Sequence, residues 1–230
     1  MVDLHTHILF GVDDGPRELA TSLRMLKAQA EQGVDAVVLT PHFYRHREHL
    51  PDFLERRHAA WNRLQEHLTE DLPQVILGAE VTWVPNLADC DHLDRLCIGN
   101  TKHMLLELPF TKWDVSLANQ IYDLMGRTGI TPILAHLERY VQDQRAEILE
   151  EILSLELPVQ ISSTPLLHLT TRGKCMKLLR NCGHVLASDC HDPVRRKPDL
   201  AEGMAVIRKK LGPAAARDFC RNARYLAGLD

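Results

Sequence analysis

The chain has 230 residues, 45% of them hydrophobic, and its 27 basic and 31 acidic side chains leave a net charge of −4. This length is sufficient for one α/β domain with a large core, and we expect a single domain over residues 1–230. The slightly acidic charge gives no electrostatic basis for nucleic-acid binding. No apolar run reaches membrane-spanning length, and the first residues do not show the signal-peptide pattern of a basic segment followed by an apolar one. We therefore expect a cytoplasmic protein that does not insert into membranes.

Short apolar runs alternate with longer amphipathic stretches along the chain. The runs predict buried strands at residues 1–4, 36–39, 75–77, 104–106, 131–135, 158–161 and 185–187. The amphipathic stretches predict helices, the first ending at Gly33, the second opening at Pro51 and the others at residues 115–127, 147–155, 175–181, 200–211 and 213–221. The stretch 81–102 is only weakly patterned. This alternation predicts parallel strands joined by helical crossovers, and a barrel and an open sheet fit the count of about seven strands equally well.

Several polar and sulfur-containing side chains have no predicted role. The helix that opens at Pro51 carries a polar face that we interpret as solvated, formed by Arg56, Arg57, His58 and His67. The other histidines without a spacing signal are expected to be surface or structural groups: His46, His49, His92, His103, His168 and His184. The six cysteines include no C-x-x-C pair, and in a cytoplasmic chain we expect free thiols that mostly fill the core. They are Cys90, Cys97, Cys175, Cys182, Cys190 and Cys220.

A histidine, aspartate or glutamate follows six of the predicted strands. His5 and His7 come directly after the first strand, and in an extended chain residues i and i+2 point to the same face. Two imidazoles on one face can clamp a metal ion. In a parallel barrel the carboxyl ends of the strands form one rim, which is where active sites lie. The candidate ligands are His5, His7, the pair Asp13 and Asp14, His42, Glu80, Glu107, His136, Asp189 and His191.

This set of side chains favours a particular chemistry. Mixed imidazole and carboxylate ligands suit Zn²⁺, Mn²⁺ or Fe²⁺ rather than Ca²⁺. The set exceeds what one ion needs, and a carboxylate such as Glu107 could bridge two ions. Two close ions activate a water and hold both oxygens of an in-line phosphoryl displacement. For any one residue a solvated or capping group is an equally good interpretation, but recurrence at successive strand ends favours a metal site.

The segment from Cys190 to Arg196 also fits the bare pattern of cysteine-dependent phosphatases. That chemistry needs a thiolate of lowered pKa and a loop of backbone N–H groups around the phosphate. Pro193 has no N–H, Asp192 would repel a phosphate, and the loop has no glycine. We therefore expect Cys190 to be a bystander thiol beside the metal site.

Through the same residues the chain resembles the PHP (polymerase and histidinol phosphatase) superfamily. Within it, the chain looks like the metal-dependent tyrosine-protein phosphatases of bacterial capsule and exopolysaccharide loci. The resemblance runs from residue 1 to about 191 and is carried by residues 3–9, 13–15, 40–42, 78–81, 105–110, 135–140 and 188–191. The Asp-Asp-Gly after the first histidine pair and the Glu-Arg-Tyr after His136 favour this branch over the histidinol-phosphate branch.

The resemblance implies a fold, a metal centre and a substrate contact. The fold is a distorted (β/α) TIM-like barrel, the PHP fold. The centre holds up to three ions, with Mn²⁺ first and Fe²⁺ or Zn²⁺ as alternatives, bound by His5, His7, Asp14, His42, Glu80, Glu107, His136, Asp189 and His191. Asp13 stays an alternative to Asp14. Arg139 and Arg196 would contact the substrate phosphate, although Arg196 also fits a solvated basic run over residues 195–197.

The activity implied by the resemblance is hydrolysis of protein phosphotyrosine by a metal-activated water. The implied partner is a tyrosine autokinase that controls polysaccharide chain length. An esterase for a small phosphate ester, such as histidinol phosphate or a nucleotide, is the alternative enzyme. A third hypothesis, a metal-binding accessory module without catalysis, would predict missing ligands or a much longer chain. Phe10 and Leu137 stand where the family usually has proline, and Cys190 where it has a small residue, which bears on substrate preference more than on metal binding.

Overall fold

Parallel strands and helices alternate through the computed structural model, which describes residues 1–229. The strands are β1 (Val2–Thr6), β2 (Ala36–Leu39), β3 (His42–Phe43), β4 (Gln74–Leu77), β5 (Glu80–Thr82), β6 (His103–Glu107), β7 (Thr131–Leu134), β8 (Gln160–Ser162) and β9 (Val185–Ala187). The helices are α1 (Leu19–Glu31), α2 (Leu50–Gln65), α3 (Leu117–Thr128), α4 (Ala146–Leu153), α5 (Thr164–Leu167), α6 (Leu169–Asn181), α7 (Leu200–Leu211) and α8 (Pro213–Leu226). Short 3₁₀ turns lie at Leu87–Asp89, Leu93–Leu96 and Leu137–Arg139.

The strands close into a barrel. Strand β1 pairs with β2 and β2 with β4, while β3, β5, β6 and β7 pair in that order and β8 pairs with β9, all in parallel. Isolated bridges complete the ring, Thr6 with Cys190 and Leu134 with Val159. Strands β3 and β5 prolong β2 and β4 after short breaks. When each of these two pairs is counted as one strand, seven strands surround the barrel axis. The predicted barrel is confirmed and the open sheet is excluded.

Strand β1 contains an irregularity that aims two side chains. Its register against β2 slips by one residue between Asp3 and Thr6. In a regular strand Leu4 and His5 would point to opposite faces. Here Leu4 packs in the barrel interior, and the His5 imidazole also points inward, 3.1 Å from Glu80. An extra residue of this kind re-aims the side chains that follow it.

Two apolar clusters lie on the two sides of the barrel wall. The inner cluster takes alternate strand residues, among them Val2, Leu105 and Ile133, and is closed at the amino-terminal end of the barrel by Ala223 and Leu226 of α8. The larger outer cluster lies between the strands and the surrounding helices. The strands are therefore mostly apolar on both faces, with Asp3 and Gln160 as buried polar exceptions, and most of the buried polar side chains collect at the carboxyl ends.

The predicted strands and helices are present. Helix α5 and the three 3₁₀ turns were not predicted, and α6 begins at Leu169, six residues before the predicted start. Strands β3 and β5 were not predicted, because each has only two or three residues and begins with a candidate ligand. The prediction that Arg57 is solvated is wrong: the side chain is buried. Its Nη1 and Nη2 donate to the carbonyl oxygens of Gly78 (2.6 Å) and Arg95 (2.9 Å). The six cysteines are free thiols, as expected. Among residues 1–229, no helix combines the length and hydrophobicity that crossing a membrane requires.

Candidate metal centre

The nine predicted ligands meet at the carboxyl-terminal mouth of the barrel, and most of their side chains are buried. Glu80 lies at the middle of the cluster. Its Oε2 is 3.1 Å from a nitrogen of each of three imidazoles, those of His5, His7 and His42, and its Oε1 is 2.8 Å from His136 Nε2. Three overlapping groups have ligand atoms close enough to share an ion: His7, Asp14, His42 and His191; His5, His7 and Glu80; and His42, Glu80 and Glu107.

The remaining members join the cluster at its edges. Glu107 Oε1 is 3.6 Å from His136 Nε2, and Thr82 donates a hydrogen bond to the other oxygen of Glu107. Asp189 Oδ1 is 3.4 Å from His5 Nε2 and 3.6 Å from His191 Nδ1. The nine side chains thus form one continuous network.

The structure separates Asp13 from Asp14. Asp13 Oδ2 accepts a hydrogen bond from His7 Nδ1 at 2.6 Å and from the backbone N–H of His42 at 3.0 Å. Asp14 Oδ1 lies instead 3.3 Å from His191 Nε2 and 3.8 Å from His42 Nε2, on the open side of the cluster. Asp13 therefore orients a histidine from behind, whereas Asp14 presents its carboxylate to the centre.

Gln160, which the sequence analysis did not select, fixes the tautomer of His5. Its Oε1 accepts the backbone N–H of His136 at 2.7 Å and lies 3.1 Å from His5 Nδ1. Since that oxygen only accepts, His5 Nδ1 carries the hydrogen and Nε2 is left with a lone pair. A glutamine within the predicted apolar run at residues 158–161 was the available signal, because a buried amide needs a polar partner.

The lone pairs converge on one point. His5 Nε2 and His7 Nε2 lie only 3.0 Å apart, and each faces Glu80 Oε2. Burial alone would lower the pKa of His7, but Asp13 and Glu80 outweigh burial and raise the pKa to about 10. Burial likewise opposes the protonation of His136, yet hydrogen bonds with Glu107 and Glu80 raise its pKa to about 9. In the metal-free protein, the added protons on His7 and His136 allow these imidazoles to donate to the carboxylate oxygens that face them.

These donors fit divalent metal ions. Glu80 Oε2, His42 Nδ1 and His191 Nε2 are buried and have no aligned hydrogen-bond partner among residues 1–229, although each lies near other ligand atoms. A buried polar atom without a hydrogen bond is costly unless another partner satisfies it. Imidazole nitrogens and carboxylate oxygens, each oriented by a second hydrogen bond, are the donor set of Mn²⁺, Fe²⁺ and Zn²⁺ sites.

Two of the ligand residues have a left-handed backbone. His136 has φ 32° and Asp189 φ 54°, each just beyond the end of its strand. Such a conformation costs about 1–3 kcal/mol in a non-glycine residue. Hydrogen bonds to the rest of the barrel offset this cost: His136 N–H donates to Gln160, and Asp189 N–H donates to the carbonyl oxygen of His5. These turns aim both side chains into the barrel mouth.

Both predicted arginines reach the cluster through Asp189. Nη2 of Arg139 and Nη2 of Arg196 each donate to Asp189 Oδ2, Arg196 at 2.8 Å. Burial opposes ionisation of Asp189, but His5 and Arg139 lower its pKa to about 2. Both arginine side chains stay more than a third exposed, so they can face a ligand as well as the carboxylate. Leu137, at the position where proline is usual, is buried in the 3₁₀ turn and does not prevent this contact.

Cys190 is a bystander, as expected. Its side chain is fully buried and faces Gln29 Nε2 at 3.7 Å, not Arg196. Burial and the neighbouring Asp3 carboxyl raise the pKa of the thiol well above its ordinary value. A buried, protonated thiol cannot act as a phosphatase nucleophile.

A parallel (β/α) barrel with a buried cluster of histidines and carboxylates at its mouth defines a metal-dependent hydrolase of the PHP type. The chain belongs to the family of capsular polysaccharide synthesis proteins CpsB/CapC, whose model matches residues 1–227. This confirms the resemblance on which the sequence analysis rested.

Individual relatives match over nearly the whole chain. Tyrosine-protein phosphatase CpsB of Streptococcus agalactiae is 31% identical over 248 residues, covering 98% of both chains. Tyrosine-protein phosphatase YwqE of Bacillus subtilis is 28% identical, covering 98% of this chain and 91% of its own.

Solved structures agree with this assignment. A crystal structure from work on YwqE of Bacillus subtilis and CpsB of Streptococcus pneumoniae, described as metal-dependent tyrosine phosphatases, superposes with a TM-score of 0.85 at 26% identity, covering 100% of this chain and 95% of the other. A β-aspartyl dipeptidase from Fervidobacterium islandicum, with a TM-score of 0.52 at 12% identity, covers 98% of this chain and 74% of its own and shares the fold alone.

Proposed function

We propose that this chain is a metal-dependent protein-tyrosine phosphatase that acts on a tyrosine autokinase of capsule or exopolysaccharide synthesis. The observation that carries the proposal is the continuity between the nine-residue cluster and the two arginines, which meet at the two oxygens of Asp189. A substrate phosphate that contacts the arginines must therefore lie against the cluster. The names of the family's members support phosphotyrosine as the substrate.

The proposed ligands are His5, His7, Asp14, His42, Glu80, Glu107, His136, Asp189 and His191, with Mn²⁺ as the first candidate and up to three ions. Divalent ions held there would lower the pKa of a water molecule and withdraw charge from phosphate oxygens. The fit rests on the buried, unsatisfied atoms Glu80 Oε2, His42 Nδ1 and His191 Nε2. A cytoplasmic location is part of the proposal and rests on the six free thiols.

The chain's own contribution is binding, orientation and charge. Arg139 and Arg196 can each direct N–H groups at non-bridging oxygens of the phosphate, where charge is redistributed in the transition state. Asp13 and Gln160 keep the Nδ1 hydrogens of His7 and His5 engaged, so their Nε2 lone pairs face the centre. Burial of the cluster limits the number of water molecules that compete with the nucleophile.

Hydrolysis of a phosphotyrosine peptide by metal-stripped protein, with and without added Mn²⁺, tests the proposal. We expect hydrolysis only with metal, full activity for Cys190→Ser, and a loss of kcat on the order of 100-fold for Arg196→Ala. Arg195→Ala is the matched control, because its side chain is exposed and neighbours Arg196 in sequence. Metal-independent activity that disappears with Cys190 would refute the proposal. Faster hydrolysis of histidinol phosphate or a nucleotide than of the peptide would favour the small-ester enzyme.

A further inference from the structure

A pocket of about 280 Å³ opens beside the two arginines. Its lining includes Arg139, Asp189 and Arg196 on one side and residues of the β8–α6 segment on the other. Strand β8 ends at Ser162 and is followed by Ser163 and Thr164, with no histidine or acidic side chain among these three residues. The pocket therefore lies where the rim of the barrel carries small residues instead of ligands.

The wall of this pocket is apolar, although its sequence is rich in hydroxyl groups. Thr164 Oγ1 donates to Asp199 at 2.7 Å, and Thr171 Oγ1 donates to the carbonyl oxygen of Pro165 at 2.6 Å. Ser188 Oγ accepts the backbone N–H of Cys190 at 3.2 Å. These three hydroxyls are engaged in hydrogen bonds, whereas Ser162 Oγ is buried without a hydrogen-bond partner among the described residues. Carbon atoms make up most of the exposed surface of the cavity.

His168 is one of the residues that line this pocket. The residue is exposed, and no hydrogen bond, ion pair or ring contact engages its imidazole within residues 1–229. It lies at the junction of α5 and α6, where its backbone carbonyl oxygen accepts the N–H of Arg172. The backbone of His168 is thus fixed by a hydrogen bond, while its imidazole stays available to a ligand.

The charge distribution selects the occupant. The cations Arg139 and Arg196 line the cavity together with Asp189, which joins them to the cluster of candidate ligands, and most of the cavity surface is carbon. An anionic phosphate would bind at the charged end, and a flat hydrophobic group attached to it would fill the remainder. An aliphatic alcohol would leave most of the apolar wall in contact with water.

We infer that this cavity is an aryl pocket, in which His168 and Pro165 contact the aromatic ring of the substrate's phosphotyrosine side chain. The inference rests on the proposed phosphatase function and adds the feature that distinguishes aryl from alkyl phosphates. His168 acts here as a specificity residue, through the face of its ring rather than through a proton.

Binding of two non-hydrolysable phosphonates to Mn²⁺-loaded protein, measured by titration calorimetry, tests the aryl pocket without depending on turnover. We expect phenylphosphonate to bind on the order of tenfold more tightly than methylphosphonate, because only the former buries a ring. His168→Ala should raise the Kd of phenylphosphonate about three- to tenfold and leave methylphosphonate unchanged. His168→Phe should restore the affinity, since it keeps the aromatic face.

Two control variants define the outcomes. Leu169→Ala changes an 84% exposed neighbour of His168 and should alter neither Kd. Phe110 is 59% exposed and lies beside His136, so Phe110→Ala tests the alternative aromatic surface.

The inference is overturned if the wild-type protein binds both phosphonates equally, or if Phe110→Ala rather than His168→Ala weakens the binding of phenylphosphonate. Equal binding with active hydrolysis of phosphotyrosine would leave the proposed function intact. Failure of both phosphonates to bind would refute the proposed function and, with it, the aryl pocket.

Discussion

At the residue scale, the histidines of the cluster are distinguished by what their second nitrogen contacts. His7 is bonded to the Asp13 carboxylate and His5 to the Gln160 amide. A carboxylate partner makes an imidazole a stronger base than an amide partner does. The affinity of His7 for a cation, whether proton or metal, therefore depends more on its one neighbour than the affinity of His5 does.

Asp13→Asn should weaken Mn²⁺ binding at least about tenfold, because it removes the negative charge that orients and polarises His7. Equilibrium dialysis of the metal-stripped variant measures the effect. Asp71→Asn is the matched control, since Asp71 lies exposed on the surface. An Asp13→Asn protein that binds Mn²⁺ as tightly as the wild type would contradict the role given to Asp13.

Metal binding should release protons. In the metal-free protein His7 and His136 have pKa values raised to about 10 and 9, so at pH 8 both are protonated when folded and neutral when unfolded. Their contribution to stability is complete below about pH 6.5 and is lost as the pH rises to 9–10. We expect calorimetry in buffers of different ionisation enthalpy to show about two protons released on metal loading at pH 8. A proton count near zero would contradict the raised pKa values.

How much of the site the sequence could predict depends on the kind of residue. The nine candidate ligands lie together as the sequence predicted, because strongly polar side chains recur at the ends of apolar runs. Their role as ligands stays a prediction. Gln160 and His168 were not found, since an amide and a lone imidazole acquire their roles from distant segments of the chain. Asp13 and Asp14 could not be separated until the loop conformation was known.

At the element scale, irregular backbone decides where the ligands point. The slip in β1 and the left-handed turns at His136 and Asp189 all lie in or just after strands. Sequence periodicity placed His5 and His7 on one face correctly. The periodicity did not predict that Leu4 would point to the same face as His5, because the register slip arises from the pairing of β1 with β2. Two- and three-residue strands such as β3 and β5 also carry too little pattern to be predicted.

Helix α2 depends on one buried cation. Arg57→Ala would leave the carbonyl oxygens of Gly78 and Arg95 without their side-chain donor, and should lower the free energy of unfolding by about 3 kcal/mol. Urea denaturation measures the change. The adjacent Arg56→Ala removes a partly exposed ion pair with Glu48 and should cost less than about 1 kcal/mol. Equal losses for the two variants would show that Arg57 has no structural role of this kind.

At the scale of the whole molecule, the barrel has two unlike ends. Polar ligands occupy the carboxyl-terminal mouth, while α8 covers the opposite end with Ala223 and Leu226. The sequence predicted α8 as an amphipathic helix but not its position beneath the strands. That position depends on the closure of the barrel, which periodicity alone did not distinguish from an open sheet. The single domain expected over residues 1–230 stays a prediction.

Leu226→Ala should lower the free energy of unfolding by about 2–4 kcal/mol, because it opens a cavity at the base of the inner cluster. Tyr225→Ala, at a neighbouring residue whose side chain is 63% exposed, should cost less than about 1 kcal/mol. Chemical denaturation of the metal-free proteins compares them without a contribution from bound ions. A Leu226→Ala protein as stable as the wild type would mean that α8 does not close the barrel.

Asp189 has a consequence for the catalytic cycle that follows from its two oxygens. One oxygen faces the histidines, and the other holds Arg139 and Arg196. A phosphate that reaches the arginines must compete with this internal counterion, and so must the inorganic phosphate left after hydrolysis. Because the carboxylate is tethered, it returns to the guanidinium groups as soon as the product moves. If the arginines bind the phosphate as proposed, the contact that keeps them in place would also limit product retention and favour turnover.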